Sequence, residues 1–513
     1  HAHGIPTEFP KEVIAQAEAA KPADPRGRTD LRKVPLLTID PEDARDHDDA
    51  VWAAPDDDPK NAGGFVALVA IADVAHYVTP GSALDREAYK RGNSAYFPDR
   101  VVPMLPEELS ADLCSLKEGV DRACLAVRMV FDKNGKKRRH EFMRGIMRSA
   151  ARLTYAQAQR AFDGKPDAHI PDIAKKTLAD VWACYQALTI ERKHRDPLDL
   201  DLPERRIQLG EDGKVKSIAF RERLESMKLI EEFMVLANVC AAESLEQKKS
   251  PLIYRIHDTP SQEKLFGFSD FLRTIGISFA KGQVIKPGVF NRILAQAKGG
   301  AHEPVMNDVV LRTQMQAVYA PDNVGHFGLN LQRYANFTSP IRRYADLIVH
   351  RALIRAFKFG DDGLTDREAR VLGETAEHIS MTERRAMAAE RDSTDRYVAA
   401  FMEDRVGSTF DARVTGVTRF GLFVRLADTG AEGLIPIRAL GGEFFKHDEK
   451  AHALVGDRSR TTYKLGDVVS VKLAEAAPLT GGLRFDLAEA ASAPRGGHKP
   501  RFTQHSQKRR GRR

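Results

Sequence analysis

Residues 35–54, PLLTIDPEDARDHDDAVWAA, crowd carboxylates between two apolar segments. Glu42, Asp43, Asp46, Asp48 and Asp49 fall within eight positions, and Asp40 sits just before them. Carboxylates about 4 Å apart repel by roughly 4 kcal/mol at an effective dielectric of about 20. A partly buried set of four therefore needs a cation, or must protonate some members. An all-oxygen donor set selects a hard ion, Mg²⁺ or alternatively Mn²⁺. Such an ion keeps several waters and takes substrate phosphates into its shell, which points to phosphate chemistry. Two plainer readings compete. An acidic surface loop would scatter its charges, whereas apolar segments bracket these. A calcium loop of the EF-hand kind needs Gly at its sixth position and Glu at its twelfth, and this run lacks that pattern.

Two further groups of residues carry chemistry. Arg342 and Arg343 follow Pro340 at what reads as a helix start. A guanidinium grips phosphate bidentately and stabilises charge in a phosphoryl transition state, but either residue fits a salt bridge equally well. In GVTRFGLFVRL, Phe420 and Phe423 flank Gly421, with Arg413, Arg419 and Arg425 alternating nearby. Aromatics interleaved with cations suit single-stranded nucleic acid, and one of the two rings could equally be core.

The elements that must position these groups follow from periodicity. Residues 11–20 read as a short helix. VPLLTID, DAVWAA and GGFVALVAIADVAHYV read as strands, and 122–155 as paired strands around a DKNGK turn. Helical spacing dominates 221–247, 339–357 and 365–406, the last as one or two helices. Ser339 reads as the N-cap of the second of these, with Pro340 at its first position. From Gly407 the pattern alternates again, and five short strands in about 80 residues fit a small closed barrel.

At 513 residues the chain exceeds one ordinary domain. No run of about 18 apolar residues occurs, so no membrane span is expected. The start lacks the basic and apolar regions of a secretory signal. Cys114, Cys124, Cys184 and Cys240 have no metal or redox spacing and read as buried thiols of a reducing compartment. Residues 489–513 carry eight Lys and Arg against Glu489 alone, which accounts for the whole net charge of +7. That tail reads as disordered and suited to a polyanion, or as merely solvated.

TIDPEDARDHDDAV resembles the catalytic signature of the RNase II/RNase R (RNB) family of exoribonucleases. NFTSPIRRYADLIVHR (336–351), LIEEFMVLAN (229–238), LCSL (113–116) and YRIHDTP (254–260) resemble further family motifs in the family's order. The resemblance covers about residues 5–488 and is strongest to the RNase R branch, without the cold-shock domains that usually precede this region. It implies an α+β nuclease domain of mixed sheet and helices, then a C-terminal all-β S1-type barrel of OB fold. The boundaries expected are 1–29 linker and helix, 30–360 nuclease, 361–404 helical connector, 405–488 barrel and 489–513 basic tail.

The activity implied is processive 3′→5′ hydrolysis of RNA to nucleoside 5′-monophosphates by Mg-assisted attack of water. Asp40, Asp46, Asp48 and Asp49 would hold the metal, with Asp48 most directly tied to cleavage, while Glu42 and Asp43 serve as loop or capping residues. His47 stands where many members have Phe and Pro41 where Gly is common; His47 is expected as an oriented or stacked ring. Arg342 would contact the scissile phosphate, with Arg343 beside it. Tyr96 would pack near the 3′-terminal nucleotides and Tyr155 near the active site, both as RNA-binding aromatics, each with a core role as the alternative. Glu390 would contact a substrate sugar, against the plain reading of a salt-bridged helix face, and Glu231 or Glu232 would lie near the terminal nucleotides. Phe420 or Phe423 would belong to the barrel's RNA surface. The expected partner is single-stranded RNA, or RNA with a single-stranded 3′ end, bound by a cytoplasmic monomer with no membrane association.

Overall fold

A computed structural model describes residues 3–280, 282 and 284–488; the basic tail 489–513 lies outside the described residues. The first half is built on a seven-stranded sheet. Its spatial order is Thr29–Asp30, Lys137–Arg148, Asp121–Phe131, Phe65–Ala72, Asp49–Pro55, Leu37–Asp40, Ala151–Thr154. The interior pairs are antiparallel and both outer pairs are parallel. Phe65–Ala72 is buried almost throughout, as expected of a central strand covered on both faces, so its sequence is continuously apolar. The DKNGK turn closes the hairpin 121–148. Gly135 there has φ +79°, and a Cβ would lie 2.3 Å from the Ala187 carbonyl oxygen. The turn thus needs glycine for both conformation and contact with the helix Asp172–Arg195.

Helices Glu225–Gln247 and Tyr344–Phe357 share the core of this sheet through residues such as Leu229, Phe233, Leu347 and Ile348. GGFVALVAIADVAHYV is not one strand: it ends at Ala72, and Val74–Tyr77 forms a single helical turn. Helices Gln262–Thr274, Pro287–Ala297 and Glu303–Thr313 build a second small core around Phe268, Phe290 and Met306.

The helix Leu372–Glu403 joins the two ends of the molecule. Its Leu372, Ala376 and Ile379 sit in the nuclease-side core, while Val398, Ala399 and Met402 sit in the core of the C-terminal barrel. One continuous helix therefore fixes the barrel's position. The barrel is a closed sheet of Thr409–Thr418, Gly421–Leu426, Glu432–Pro436, Gly482–Leu487 and Val468–Ala477. A three-stranded sheet, Phe445–Asp448, Ala453–Gly456 and Thr462–Lys464, is inserted before its last two strands in sequence.

The helix expected from Ser339 begins instead at Tyr344, with Arg343 as its N-cap. The preceding backbone is committed elsewhere: Ile341 N–H donates to Asp48 Oδ1 at 2.9 Å, and Ser339 N–H to Asp346 Oδ1 at 2.7 Å. The four cysteines are buried free thiols. Among the described residues no helix is long and apolar enough to cross a membrane.

Candidate active site

Two neighbouring strands carry the acidic loop. Asp40 ends one and Asp49 begins the other, so residues 41–48 are a connection across the end of the sheet. The loop is held from both sides. His47 N–H donates to Ser115 Oγ at 3.0 Å, and Ser115 Oγ–H donates to the Arg45 carbonyl at 2.8 Å. Leu116 N–H binds the His47 carbonyl and Ala72 N–H the Asp48 carbonyl. The LCSL segment is thus the clamp on the acidic loop, a role its sequence alone does not declare. His47 is buried and its Nδ1 lies 2.7 Å from Asp40 Oδ2, so the ring orients that carboxylate.

Asp48 is 4% exposed. Its Oδ1 accepts from Ile341, while its buried Oδ2 has no hydrogen-bond partner and lies 3.5 Å from Arg342 Nε. Burial pushes the Asp48 carboxyl well up, Asp46 and Asp49 push it further, and Arg342 and the Ile341 N–H oppose them. Burial likewise raises Asp46 and Asp49, in both cases with Asp40 adding and Arg342 opposing. Three carboxylates therefore share one guanidinium. Arg342 is itself steadied by Nη2 donating to Ser339 Oγ at 2.8 Å. Glu42 and Asp43 are exposed in the loop.

Among the described residues no three His, Cys, Asp or Glu side chains close around one point as a ready-made metal centre. The donor set nonetheless fits a hard divalent cation. It consists of carboxylate oxygens, its members repel one another, and Asp48 Oδ2 is an orphaned buried acceptor. A cation there would complete its shell with water and phosphate oxygens.

The aromatic neighbours are placed by the sheet and the long helix. Asp40 pairs in register with Thr154, so Tyr155 follows directly beside the acidic strand. Burial raises the Tyr155 hydroxyl, and Asp49 and Asp40 add to it. Tyr96 is 43% exposed over the whole residue, yet its hydroxyl is also raised, by desolvation first, with Asp46 and Asp48 adding and Arg342 opposing. Its backbone N–H donates to Glu390 Oε1 at 2.7 Å, which ties Glu390 to the site.

Other expected residues stand differently. Arg343 donates through Nη2 to Asp346 Oδ1 at 2.8 Å. Glu232 is buried against Arg195 and Arg192, and Glu231 pairs with Arg223. On the barrel both Phe420 and Phe423 are exposed, at 63% and 44%, so neither ring is core. Arg419 lies 4.7 Å over the Phe420 ring. Arg413 and Arg425 do not belong to that surface: Arg413 donates to the Gly466 carbonyl, and Arg425 pairs with Asp308 and Glu432. They fasten the barrel instead.

Residues 28–358 match the RNB domain, and residues 403–478 match the S1 RNA binding domain. The chain is similar to a ribonuclease R of Vibrio parahaemolyticus, 38% identical over 510 residues, covering 96% of this chain and 60% of that protein. It is similar to a ribonuclease R of Aquifex aeolicus, 38% identical over 493 residues, covering 95% of this chain and 69% of that protein. The chain thus spans about three fifths of the length of the first of these relatives. Among solved structures it resembles Mycoplasma genitalium RNase R in complex with ribose methylated single-stranded RNA. That likeness has TM-score 0.90 and 28% identity, covering 95% of this chain and 76% of that one.

Proposed function

This chain belongs to the RNB family, and from that premise we propose that it is a 3′→5′ exoribonuclease that hydrolyses RNA processively to nucleoside 5′-monophosphates. One observation carries the reading: buried Asp48 lies 3.5 Å from Arg342, and half-buried Asp46 and Asp49 beside it are opposed by the same guanidinium. Such a site has a strong demand for a cation and a ready partner for a phosphate. The 3′ polarity rests on the likeness to ribonuclease R proteins.

Asp40, Asp46, Asp48 and Asp49 would hold Mg²⁺, or Mn²⁺. Bound there, the ion would lower the pKa of an attacking water and stabilise the leaving oxygen. The remaining work falls to the chain. His47 fixes the Asp40 carboxylate, and the Ile341 N–H fixes Asp48. Arg342 neutralises the scissile phosphate as negative charge grows on it. Tyr96 and Tyr155 flank the acidic residues, pack against the terminal nucleotides and exclude bulk water. Glu390, bonded to the backbone of Tyr96, accepts from a ribose hydroxyl, the group that separates RNA from DNA.

In the reaction the water oxygen bonds to phosphorus as the P–O3′ bond breaks. The shortened RNA, still bound, ends in a 3′-hydroxyl, and the released nucleotide carries the 5′-phosphate. On this reading residues 30–360 are the nuclease unit and 361–404 its helical connector. The barrel, 405–488, feeds single-stranded RNA past Phe420 and Phe423, and the basic tail, 489–513, adds affinity. The protein acts as a cytoplasmic monomer on RNA with a single-stranded 3′ end.

The test is product identity. Ribo- and deoxyribo-oligomers are incubated with Mg²⁺ and the products separated by anion exchange. Nucleoside 5′-monophosphates from the ribo-oligomer alone are expected. Products bearing 3′-phosphates, or equal degradation of both oligomers, overturn the proposal.

A further inference from the structure

Beside the acidic residues lies a cavity of about 190 Å³. Arg342 and Tyr96 line it together with Asn93, Tyr319, Arg343 and Glu383, whereas none of the four aspartates does. At about 30 Å³ per water in the liquid, it has room for a phosphate and several waters.

Two backbone segments form one wall. Asn93 and Arg343 are bridged antiparallel, Ser94 N–H binds the Arg342 carbonyl at 3.0 Å, and Tyr344 N–H binds the Gly92 carbonyl at 2.9 Å. Glu383, which lines the cavity, is gripped by both Nη atoms of Arg255, at 2.8 and 3.0 Å; Asp346, just behind, accepts from Arg343 through Oδ1, while its Oδ2 is buried without a partner. Of the lining residues, Arg343 Nε and Asn93 Oδ1 are buried without a hydrogen-bond partner. Arg342 and Arg343 both line the cavity, and their guanidiniums are the groups it offers to an anion.

A processive exonuclease keeps its substrate in the entrance, so each released nucleotide needs another place to go. The group Arg342 holds during cleavage becomes the 5′-phosphate of that nucleotide. Resting on the exoribonuclease reading, we propose that this cavity receives the 5′-phosphate of the nucleoside monophosphate product, with Arg343 as its product-side binding residue. The chemistry gives the transfer a direction. A phosphodiester carries one negative charge, whereas a phosphomonoester carries about −1.5 to −2 at pH 7, its second pKa being about 6. Hydrolysis therefore increases the attraction of the phosphate for a site with two arginines. This role also accounts for the ion pair of Arg343 with Asp346, which holds the guanidinium beside the cavity.

The test uses AMP and adenosine as probes, on the full chain and two variants. Asn93→Asp sets a carboxylate where the orphaned acceptor stands, at nearly unchanged shape. Arg343→Lys keeps the charge and a partner for Asp346 but loses the planar fork. Inhibition by AMP is measured during turnover of a 5′-labelled ribo-oligomer with Mg²⁺, and oligomer affinity is measured separately in EDTA. The expected result is that AMP inhibits the unaltered protein and adenosine inhibits at least tenfold less. Asn93→Asp raises the AMP inhibition constant at least fivefold while oligomer affinity changes less than twofold, and Arg343→Lys gives a smaller shift in the same direction. An AMP inhibition constant unchanged by both substitutions overturns the product site. So does a loss of oligomer affinity in step with it, which would make the cavity a substrate subsite. An unaltered protein that never shortens RNA contradicts the exoribonuclease reading itself, an outcome distinct from shortening with unaltered inhibition.

Discussion

Replacing Arg342 by alanine removes the one cation that opposes the carboxylates of Asp46, Asp48 and Asp49 alike. It also removes the group best placed to meet a phosphate, with Nε 3.5 Å from Asp48 and Nη2 anchored on Ser339. A preorganised donor aimed at developing charge is worth about 2.7–4 kcal/mol, or about 10²–10³ in kcat. Arg342→Ala should therefore cleave about 100- to 1000-fold more slowly. Binding should suffer far less, because one phosphate contact among several contributes a slope of only about 0.7 to the salt dependence of single-strand affinity. Arg342→Lys keeps the charge without the bidentate fork and should recover part of the rate. The assay is single-turnover cleavage of a 5′-labelled ribo-oligomer at saturating protein and Mg²⁺, beside equilibrium binding in EDTA. A rate loss below tenfold, or a loss confined to binding, would refute the assignment of Arg342 to the transition state.

Three other outcomes are expected. Asp73 is buried between Arg28 and Arg144, each at 2.7 Å, and these guanidiniums outweigh the burial penalty and hold its carboxyl down at about 2. Its folded pKa lies below its unfolded value of about 3.9, so this contribution of about 3 kcal/mol is present above pH 4 and lost as pH falls through 2. Asp73→Asn should cost about 3–5 kcal/mol in denaturant melts at pH 7 by stranding two buried cations, and stability equal to the parent contradicts this. Mg²⁺ at about 100 times its dissociation constant should add about 2.7 kcal/mol of stability over EDTA, and Asp48→Asn should abolish that gain; a variant that keeps it speaks against the carboxylate site. Phe420→Ala and Phe423→Ala should each weaken single-stranded RNA binding by about 1–3 kcal/mol with no change in melting temperature, because both rings are exposed; unchanged affinity in both variants removes the barrel face from RNA binding.

The acidic loop was legible because a dense run of carboxylates between two apolar strands has few inexpensive explanations. The hairpin at DKNGK and the alternating barrel strands were legible for equally local reasons. What the sequence hid depends on contacts across long chain distances. Ser339 and Pro340 carry good helix-start chemistry, yet their segment serves Asp48, 293 residues away along the chain from Ile341. Arg413 and Arg425 alternate with aromatics as RNA-binding cations do, but carbonyls and carboxylates elsewhere in the fold claim them. Asp73 shows no sign of its two arginines until the sheet brings Arg28 and Arg144 beside it. Ser115 is an ordinary residue in LCSL until His47 is seen to lean on it. The inserted strands within 445–464 are three or four residues long, too short for alternation to reveal.

The central claim is that the carboxylates around Asp48 cut RNA from its 3′ end with a divalent metal. The most direct test is a gel time course of 5′-labelled single-stranded RNA with Mg²⁺, run beside Asp48→Asn and an EDTA control. The account predicts a descending ladder that ends in a very short fragment and disappears in both controls. RNA that stays full length while remaining bound to the unaltered protein would contradict it.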